Sequence, residues 1–119
     1  MGFTYVEVNL YNPAKPERKA KVNLLVDSGA LFTSIPPELV QSLGLEPIER
    51  RRLRVYGGAM LERDIGGAVI EYQGHRAAVP VIFGEPQDTP VLGVTALESL
   101  GYELDPVTKK LKPVELFML

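Results

Sequence analysis

Apolar and polar residues alternate along much of this chain, which is the pattern of β-strands with one face against a core. In residues 6–10, valine and leucine alternate with glutamate and asparagine, and residues 19–26 repeat the alternation with two lysines and an asparagine at the polar positions. The segment 12–17 contains an asparagine and two prolines, as turns often do. The pattern therefore predicts a β-hairpin whose second strand ends at Asp27.

The rest of the chain predicts further strands at residues 48–56, 60–72, 77–83, 102–104 and 111–119. Gly57 and Gly58 separate the first two of these strands, as expected of a hairpin turn. Gly66 and Gly67 indicate a bend or bulge inside the second. Residues 85–90 are rich in proline and polar side chains and predict a loop.

Two short helices are predicted among these strands. Residues 36–43 begin with a proline pair, which suits the first turn of a helix, and Gly44 ends it. Residues 95–100 carry a capping-box pattern, a threonine followed three positions later by a glutamate, and Gly101 ends this helix. Many short strands with two short helices favour an all-β fold, and a closed or partly open β-barrel buries such a pattern. We expect residues 1–119 to form a single domain.

The composition is that of an ordinary globular protein and narrows the possible chemistry. Of the 119 residues, 45% are hydrophobic and 24% are charged, and the formal net charge is −2, so nothing favours a nucleic-acid or membrane partner. The chain has no cysteine, which excludes disulfides, thiol catalysis and cysteine metal sites. With His75 as the only histidine, a zinc site would consist almost wholly of carboxylates. We therefore expect no metal and no cofactor.

Two local features bear on location and partners. The chain opens as Met1-Gly2-Phe3 and runs directly into strand pattern, with no leader and no apolar run long enough to span a bilayer, so we expect a cytoplasmic protein. Residues 49–54 contain four arginines. This basic run is either the solvated face of a strand or a contact for an acidic peptide, and the sequence leaves both interpretations open.

The most informative side chain is Asp27, because an apolar strand ends there in a carboxylate. Ser28 and Gly29 follow at once, and the glycine lets another backbone or a ligand approach closely. A carboxylate held in this way is a candidate acid or base. The simpler interpretation is a turn in which the aspartate and serine side chains bond to nearby backbone amides.

Three other chemistries do not fit this motif. A chymotrypsin-like serine protease needs its histidine before the serine, whereas His75 lies well downstream. An aspartyl-phosphate enzyme has a second acid two residues after its nucleophile, where this chain has Gly29. An α/β-hydrolase needs Gly-x-Ser-x-Gly, which is not present around Ser28.

The run Asp27–Ala30, Asp-Ser-Gly-Ala, resembles the catalytic loop of the retroviral-like (retropepsin-type) aspartic proteases. Residues 91–93, Val-Leu-Gly, resemble the two apolar residues and glycine that precede a short helix in that family. Residues 54–60 resemble its flap, a glycine-tipped hairpin that closes over substrate. The resemblance covers nearly the whole chain in the right order and is closest to the bacterial and archaeal single-domain members.

The resemblance implies a retropepsin-like acid-protease barrel and an aspartic endopeptidase that hydrolyses peptide bonds through a water activated by two carboxylates. This chain has one Asp-Ser-Gly, so the second carboxylate would be Asp27 of another copy. The enzyme would then be a homodimer that acts on peptide or protein substrates. Asp27, Ser28 and Gly29 are the implied catalytic residues; the serine would lock the two loops together and the glycine would let the substrate backbone pass.

The resemblance also implies substrate-binding residues, namely Ala30 and Leu31 lining the cleft and Tyr56, Gly57 and Gly58 at the flap tip. A plain hairpin turn explains the glycine pair equally well. The apolar residues 114–119 would form a dimer sheet with a second copy or pair within their own barrel.

Two positions depart from the family pattern. Retroviral members pair an aspartate just after the alanine with an arginine just after the downstream glycine, and here these positions hold Leu31 and Val94. Both partners are missing together, so no buried charge is left unpaired. An alternative therefore stays open, a non-catalytic dimeric domain of the same fold that binds peptides or assembles. The presence of Asp27 favours the enzyme, since catalysis needs this carboxylate and peptide binding does not.

Overall fold

The computed structural model of the chain describes residues 2–55 and 57–119. Within these ranges the backbone forms nine strands and two short helices. In chain order they are β1 (Tyr5–Asn12), β2 (Lys15–Val26), β3 (Thr33–Ile35), α1 (Pro37–Leu43), β4 (Glu49–Arg54), β5 (Met60–Tyr72), β6 (His75–Phe83), β7 (Val91–Leu92), α2 (Val94–Leu100), β8 (Tyr102–Leu104) and β9 (Leu111–Pro113). The predicted class, mainly β with two short helices, is confirmed.

Six of the strands close into a ring. Neighbours pair in the order β1-β2-β7-β3-β6-β5, and β5 pairs in turn with β1, where Leu10 lies opposite Ile70. The long β5 pairs with β4 in its first half and with β6 and β1 in its second half. The barrel is therefore closed, and the β4–β5 hairpin extends from it.

The side chains inside the ring are the ones that the alternation predicted. Val8 and Leu10 in β1, Leu24 in β2 and Ile70 in β5 are at most 2% exposed. Burying a side chain of this size stabilises a fold by roughly 1.5–3 kcal/mol. The helix α2 packs against β6 and β3 and adds Leu97 to the same core.

The turn between β1 and β2 is shorter than the predicted segment 12–17, because β2 already begins at Lys15. The side chain of Asn12 accounts for the tight turn. Its Oδ1 accepts hydrogen bonds from the backbone N–H groups of Ala14 (2.8 Å) and Lys15 (3.3 Å). Its Nδ2 donates to the Leu43 carbonyl (2.8 Å), so one buried asparagine closes the hairpin and ties it to the end of α1.

Both helices end where the sequence predicted, at glycines in the left-handed conformation, Gly44 (φ 68°) and Gly101 (φ 83°). The predicted capping box over residues 95–98 is wrong, because α2 begins one residue earlier, at Val94, and no side chain caps it. Backbone carbonyls of the loop after β2 accept its first N–H groups instead. Among residues 2–55 and 57–119, no helix is long and apolar enough to cross a membrane.

Gly66 and Gly67 lie in β5 without the predicted bulge, since the pairing with β6 continues through both residues with no shift of register. Gly66 is instead a point of close approach. A Cβ at this position would lie 2.7 Å from the Phe83 ring and 2.8 Å from the Glu46 carbonyl oxygen. Any side chain there would push the strand away from its neighbours.

The predicted strand over residues 111–119 is wrong beyond Pro113. β9 pairs with β8 over three residues, and the Val114 N–H then donates to the Gly101 carbonyl (2.9 Å). β8 is too short to pair with more of the chain, so Leu116 and Phe117 are 67% and 80% exposed. In the part of the chain that the structure describes, residues 114–119 pair with no strand of the barrel.

Candidate active site

Asp27 lies directly after β2, in a short loop that backbone hydrogen bonds hold in place. Its N–H donates to the Leu92 carbonyl (3.0 Å), which continues the parallel pairing of β2 with β7. Its carbonyl accepts the Ala30 N–H (3.1 Å), and its Oδ1 accepts the Gly29 N–H (2.9 Å). Asp27, Ser28 and Gly29 are all exposed. The strand therefore places the carboxylate at the surface, where the Gly29 N–H of the same loop donates to one carboxylate oxygen.

The loop after Asp27 lies against the start of α2. The Ala30 carbonyl accepts the Val94 N–H (2.7 Å). The Leu31 carbonyl accepts the Thr95 N–H (3.1 Å). A helix leaves the N–H groups of its first turn without partners, and here the loop supplies two of the acceptors. This main-chain cap replaces the side-chain cap that the sequence predicted.

Gly93, between β7 and α2, makes the closest contact with this loop. A Cβ added to it would lie 2.5 Å from the carbonyl carbon and oxygen of Phe32, so no side chain fits there. Its N–H donates to the hydroxyl of Thr33 (3.1 Å), a residue that is completely buried. The segment 91–93 thus lies directly against the Asp27 loop, and α2 follows it, as the resemblance implied.

The tip of the β4–β5 hairpin holds Gly57 and Gly58, two of the predicted substrate-binding residues. Both have positive φ, 100° and 94°, a conformation that suits glycine. The Gly58 N–H donates to the Val55 carbonyl (3.0 Å), and the Val55 N–H donates to the Ala59 carbonyl (2.9 Å). A Cβ added to either glycine would meet no described atom within 4 Å, so the tip is open. Tyr56, the third predicted residue of the tip, lies outside the described residues.

The predicted site residues thus occupy two separate elements. The structure brings Asp27 to Leu31 together in one loop, where Ala30 is half-buried and Leu31 is 60% exposed. No hydrogen bond between described residues joins this loop to the hairpin tip. Over the same described part of the chain, no group of three or more His, Cys, Asp or Glu residues is placed to hold a metal ion.

A hollow of about 320 Å³ lies between the hairpin and the barrel. Most of the surface that lines it belongs to apolar atoms. The polar lining residues come mainly from the loop before β7 and from β5. It is lined by Ser34, Leu53, Val55, Leu61, Arg63, Ile82, Gln87, Asp88 and Thr89.

Arg63 and Asp88, both in the wall of this hollow, form an ion pair that the sequence analysis missed. Arg63 is 7% exposed, and its Nε and Nη2 donate to Asp88 Oδ2 (2.7 Å) and Oδ1 (3.0 Å). These hydrogen bonds lower the pKa of the Asp88 carboxyl and raise the pKa of the Arg63 guanidinium. This ion pair joins β5 to the loop before β7. The alternation of the sequence could have revealed that Arg63 is buried, since it occupies an inward position between Leu61 and Ile65.

Asp88→Asn is expected to destabilise the fold by about 2–3 kcal/mol, because it removes the carboxylate closest to the buried charge of Arg63 and leaves only Glu85, whose Oε2 lies 3.5 Å from Nη1. The folded-state pKa of Asp88 lies below its unfolded value, so the pair stabilises the fold above pH ~4 and this contribution is lost as the pH falls. Urea unfolding at neutral pH measures the loss. The control is Asp64→Asn, because Asp64 pairs with the exposed Arg50 and such pairs contribute little. Equal losses in the two variants would contradict the role given to Asp88.

Comparison with known protein families gives a match over the part of the chain that contains the Asp27 loop and the hairpin tip. A sequence model of the family described as aspartyl protease matches residues 13–96 of this chain. The matched segment runs from the β1–β2 turn into α2, and it includes the Asp27 loop, the hairpin tip and Gly93. A search of curated proteins found no match. The family match spans more than half of the chain and every site residue predicted from the sequence.

Proposed function

The chain belongs to the aspartyl protease family, and we propose that it is an aspartic endopeptidase that acts as a homodimer on peptide or protein substrates. The observation that carries the proposal is the Asp27 loop, in which one exposed carboxylate is held at a strand end by backbone hydrogen bonds. The closed, mainly β barrel around it is consistent with an acid-protease fold. In this proposal residues 1–119 act as one domain, in the cytoplasm and without a cofactor.

Peptide hydrolysis by this chemistry needs two carboxylates that share one proton. The ionised carboxylate accepts a proton from water as the water attacks the carbonyl carbon, and the protonated one donates to the carbonyl oxygen. As in aspartic proteases generally, two like charges about 3 Å apart cannot both ionise, so one pKa falls and the other rises. Two Asp27 side chains, one from each copy, would meet this requirement across a two-fold axis.

The other aspartates of the chain support a second copy as the source of the second carboxylate. Asp64 and Asp88 are engaged in ion pairs with arginines, and Asp105 accepts a backbone N–H in the turn before β9. None of the three is followed by Ser-Gly. Asp27 is therefore the one aspartate of this sequence suited to the chemistry, and each chain supplies one.

We assign separate roles to the residues of the Asp27 loop in this dimer. Ser28 would hydrogen-bond across the interface to the loop of the partner, and Gly29 would let the substrate backbone pass close to the carboxylates. Ala30 and Leu31 would line the cleft. The exposed side chain of Leu31 offers an apolar surface to the substrate where retroviral members have an aspartate.

Tyr56, Gly57 and Gly58 would form a flap that closes over the substrate and excludes water. The open space around both glycines supports this role. So does the hollow beneath the hairpin, because its apolar wall, which includes Leu53 and Leu61, suits an apolar side chain of the substrate.

Gly57→Val is expected to lower turnover several-fold with little effect on the barrel. Valine at positive φ is strained by about 1–2 kcal/mol, so the tip would change conformation. The matched control is Gly74→Val, because Gly74 also has positive φ (80°) and open space around it but lies in the β5–β6 turn. Steady-state kinetics and urea unfolding of both variants separate the effects. An equal loss of turnover in the two variants would argue for a plain turn at Gly57.

A digest of a peptide library over acid and neutral pH tests the proposed function. We expect activity that peaks below neutral pH and falls on both sides, since one carboxylate must be ionised while the other is protonated. Transition-state mimics with a hydroxyl at the scissile position are expected to inhibit it, and metal chelators are not. Peptide binding without cleavage at any pH would favour the alternative, a non-catalytic dimeric peptide-binding or assembly domain of the same fold.

A further inference from the structure

The strand β4 has one free edge. It pairs with β5 from Glu49 opposite Ile65 to Arg54 opposite Met60, and it lies outside the closed ring of six strands. Within residues 2–55 and 57–119, no strand pairs with its other side. A free strand edge presents a row of N–H and C=O groups that another extended chain can bond.

The same strand is strongly basic. One glutamate and four arginines give β4 a formal charge of +3, whereas the whole chain has a formal net charge of −2. Arg50 is already paired with Glu62 (3.3 Å) and Asp64 (3.2 Å) on β5. Over the described ranges, Arg52 and Arg54 form no ion pair. Alternate residues of a strand share a face, so both lie on the face that carries Arg50.

We propose that the free edge of β4 binds an acidic, extended polypeptide segment by strand addition. Main-chain hydrogen bonds would form along the edge, and carboxylates at alternate positions of the added strand would face Arg52 and Arg54. Arg51 adds positive charge on the opposite face. The charge argues against a second copy of this chain as the occupant, because two β4 strands side by side would bring like charges together.

The strand β4 leads into the proposed flap tip, but the proposal does not rest on peptide hydrolysis. β4 lies on the hairpin, and the Asp27 carboxylate lies on the loop after β2. Binding is therefore measured on full-length Asp27→Asn protein, in which cleavage cannot consume the probe. A failure of this proposal leaves the proposed protease function untouched, and a failure of the protease function leaves this surface untouched.

The probe is a short fluorescein-labelled peptide of alternating glutamate and threonine, followed by fluorescence anisotropy at low ionic strength. Three control peptides are an alternating lysine–threonine peptide, an isomer with its glutamates in one block, and an alternating acidic peptide with N-methylated backbone amides. We expect the alternating acidic peptide to bind at least about tenfold more tightly than each control. Added salt is expected to weaken its binding.

The matched variants are Arg52→Gln with Arg54→Gln, and Lys21→Gln with Lys110→Gln. Both pairs remove two positive charges from exposed positions. We expect about a tenfold loss of affinity for the arginine pair and less than about twofold for the lysine pair. Amide hydrogen exchange is expected to slow in residues 49–54 when the peptide binds. Equal losses for both pairs, equal binding of the N-methylated or block peptide, or slowed exchange elsewhere but not in β4 would each overturn the proposal.

Discussion

Asp27→Asn is expected to lower peptide hydrolysis by about 10³-fold or more while leaving the fold intact. The proposed mechanism needs a group at this position that accepts and donates protons, and an amide does neither at accessible pH. Asp27 is exposed, and the Oδ1 of an asparagine can still accept the Gly29 N–H that the aspartate accepts now. We therefore expect a change in the free energy of unfolding of less than about 0.5 kcal/mol.

The control for this substitution is Asp64→Asn, which makes the same chemical change on the exposed face of β5 and is expected to keep wild-type activity. Steady-state kinetics on a cleaved library peptide and urea unfolding of both variants complete the test. In a dimer the change also removes repulsion between two facing acids, so the dimer is expected to be at least as stable. An Asp27→Asn protein that cleaves at the wild-type rate would show that the aspartic mechanism is wrong.

The features that the sequence predicted well depend on residues close together in the chain. Alternation located most strands of the barrel because each strand needs only its own pattern of buried positions. Gly44 and Gly101 were predicted as helix ends because a left-handed residue there follows from local backbone geometry. The Asp27 loop was found in the same way, from an apolar strand, a carboxylate and a glycine in one short run.

The missed features depend on residues that the fold brings together. Arg63 and Asp88 are 25 positions apart and meet only because β5 runs past the loop before β7. Glu71 likewise accepts hydrogen bonds from Arg76 (2.8 Å) and from the hydroxyl of Tyr11 (2.8 Å), which lower its pKa to about 2. That cluster exists only where β1 closes the ring against β5. The capping box failed for the same reason. In a capping box the Glu98 side chain would accept the Thr95 N–H, whereas here the carbonyl of Leu31, in a distant loop, accepts it.

For the C-terminal segment, residues 114–119, the sequence pattern alone could not decide between two pairing partners. Its apolar residues favoured a strand, either within the barrel or in a dimer sheet. In the structure of one chain, no described strand pairs with it beyond the Val114–Gly101 hydrogen bond, and Phe117 and Met118 are 80% and 98% exposed. A segment of this kind gains its stability from burial, so a second copy is our proposed partner for it.

Deleting residues 117–119 is therefore expected to shift a dimer towards monomer and to lower activity, with little change in the unfolding free energy of the single chain. The control is Ile48→Ser, because Ile48 is also apolar and 77% exposed but lies beside β4. Sedimentation over a range of concentrations measures the association. Equal weakening of the dimer by both changes would argue against a specific contact of the C-terminal residues.

Excess Asp27→Asn chains are expected to suppress the activity of wild-type chains, because an active site built from two Asp27 residues fails when either is replaced. With about nine variant chains for each wild-type chain, random exchange leaves about one tenth of the wild-type chains paired with each other, so activity falls about tenfold. The control is the same excess of Asp64→Asn chains, whose mixed dimers retain both carboxylates. Activity is followed over time after mixing, since suppression must appear at the rate of subunit exchange. A protein that stays monomeric at every concentration and still cleaves peptides would show that one chain alone forms the active site.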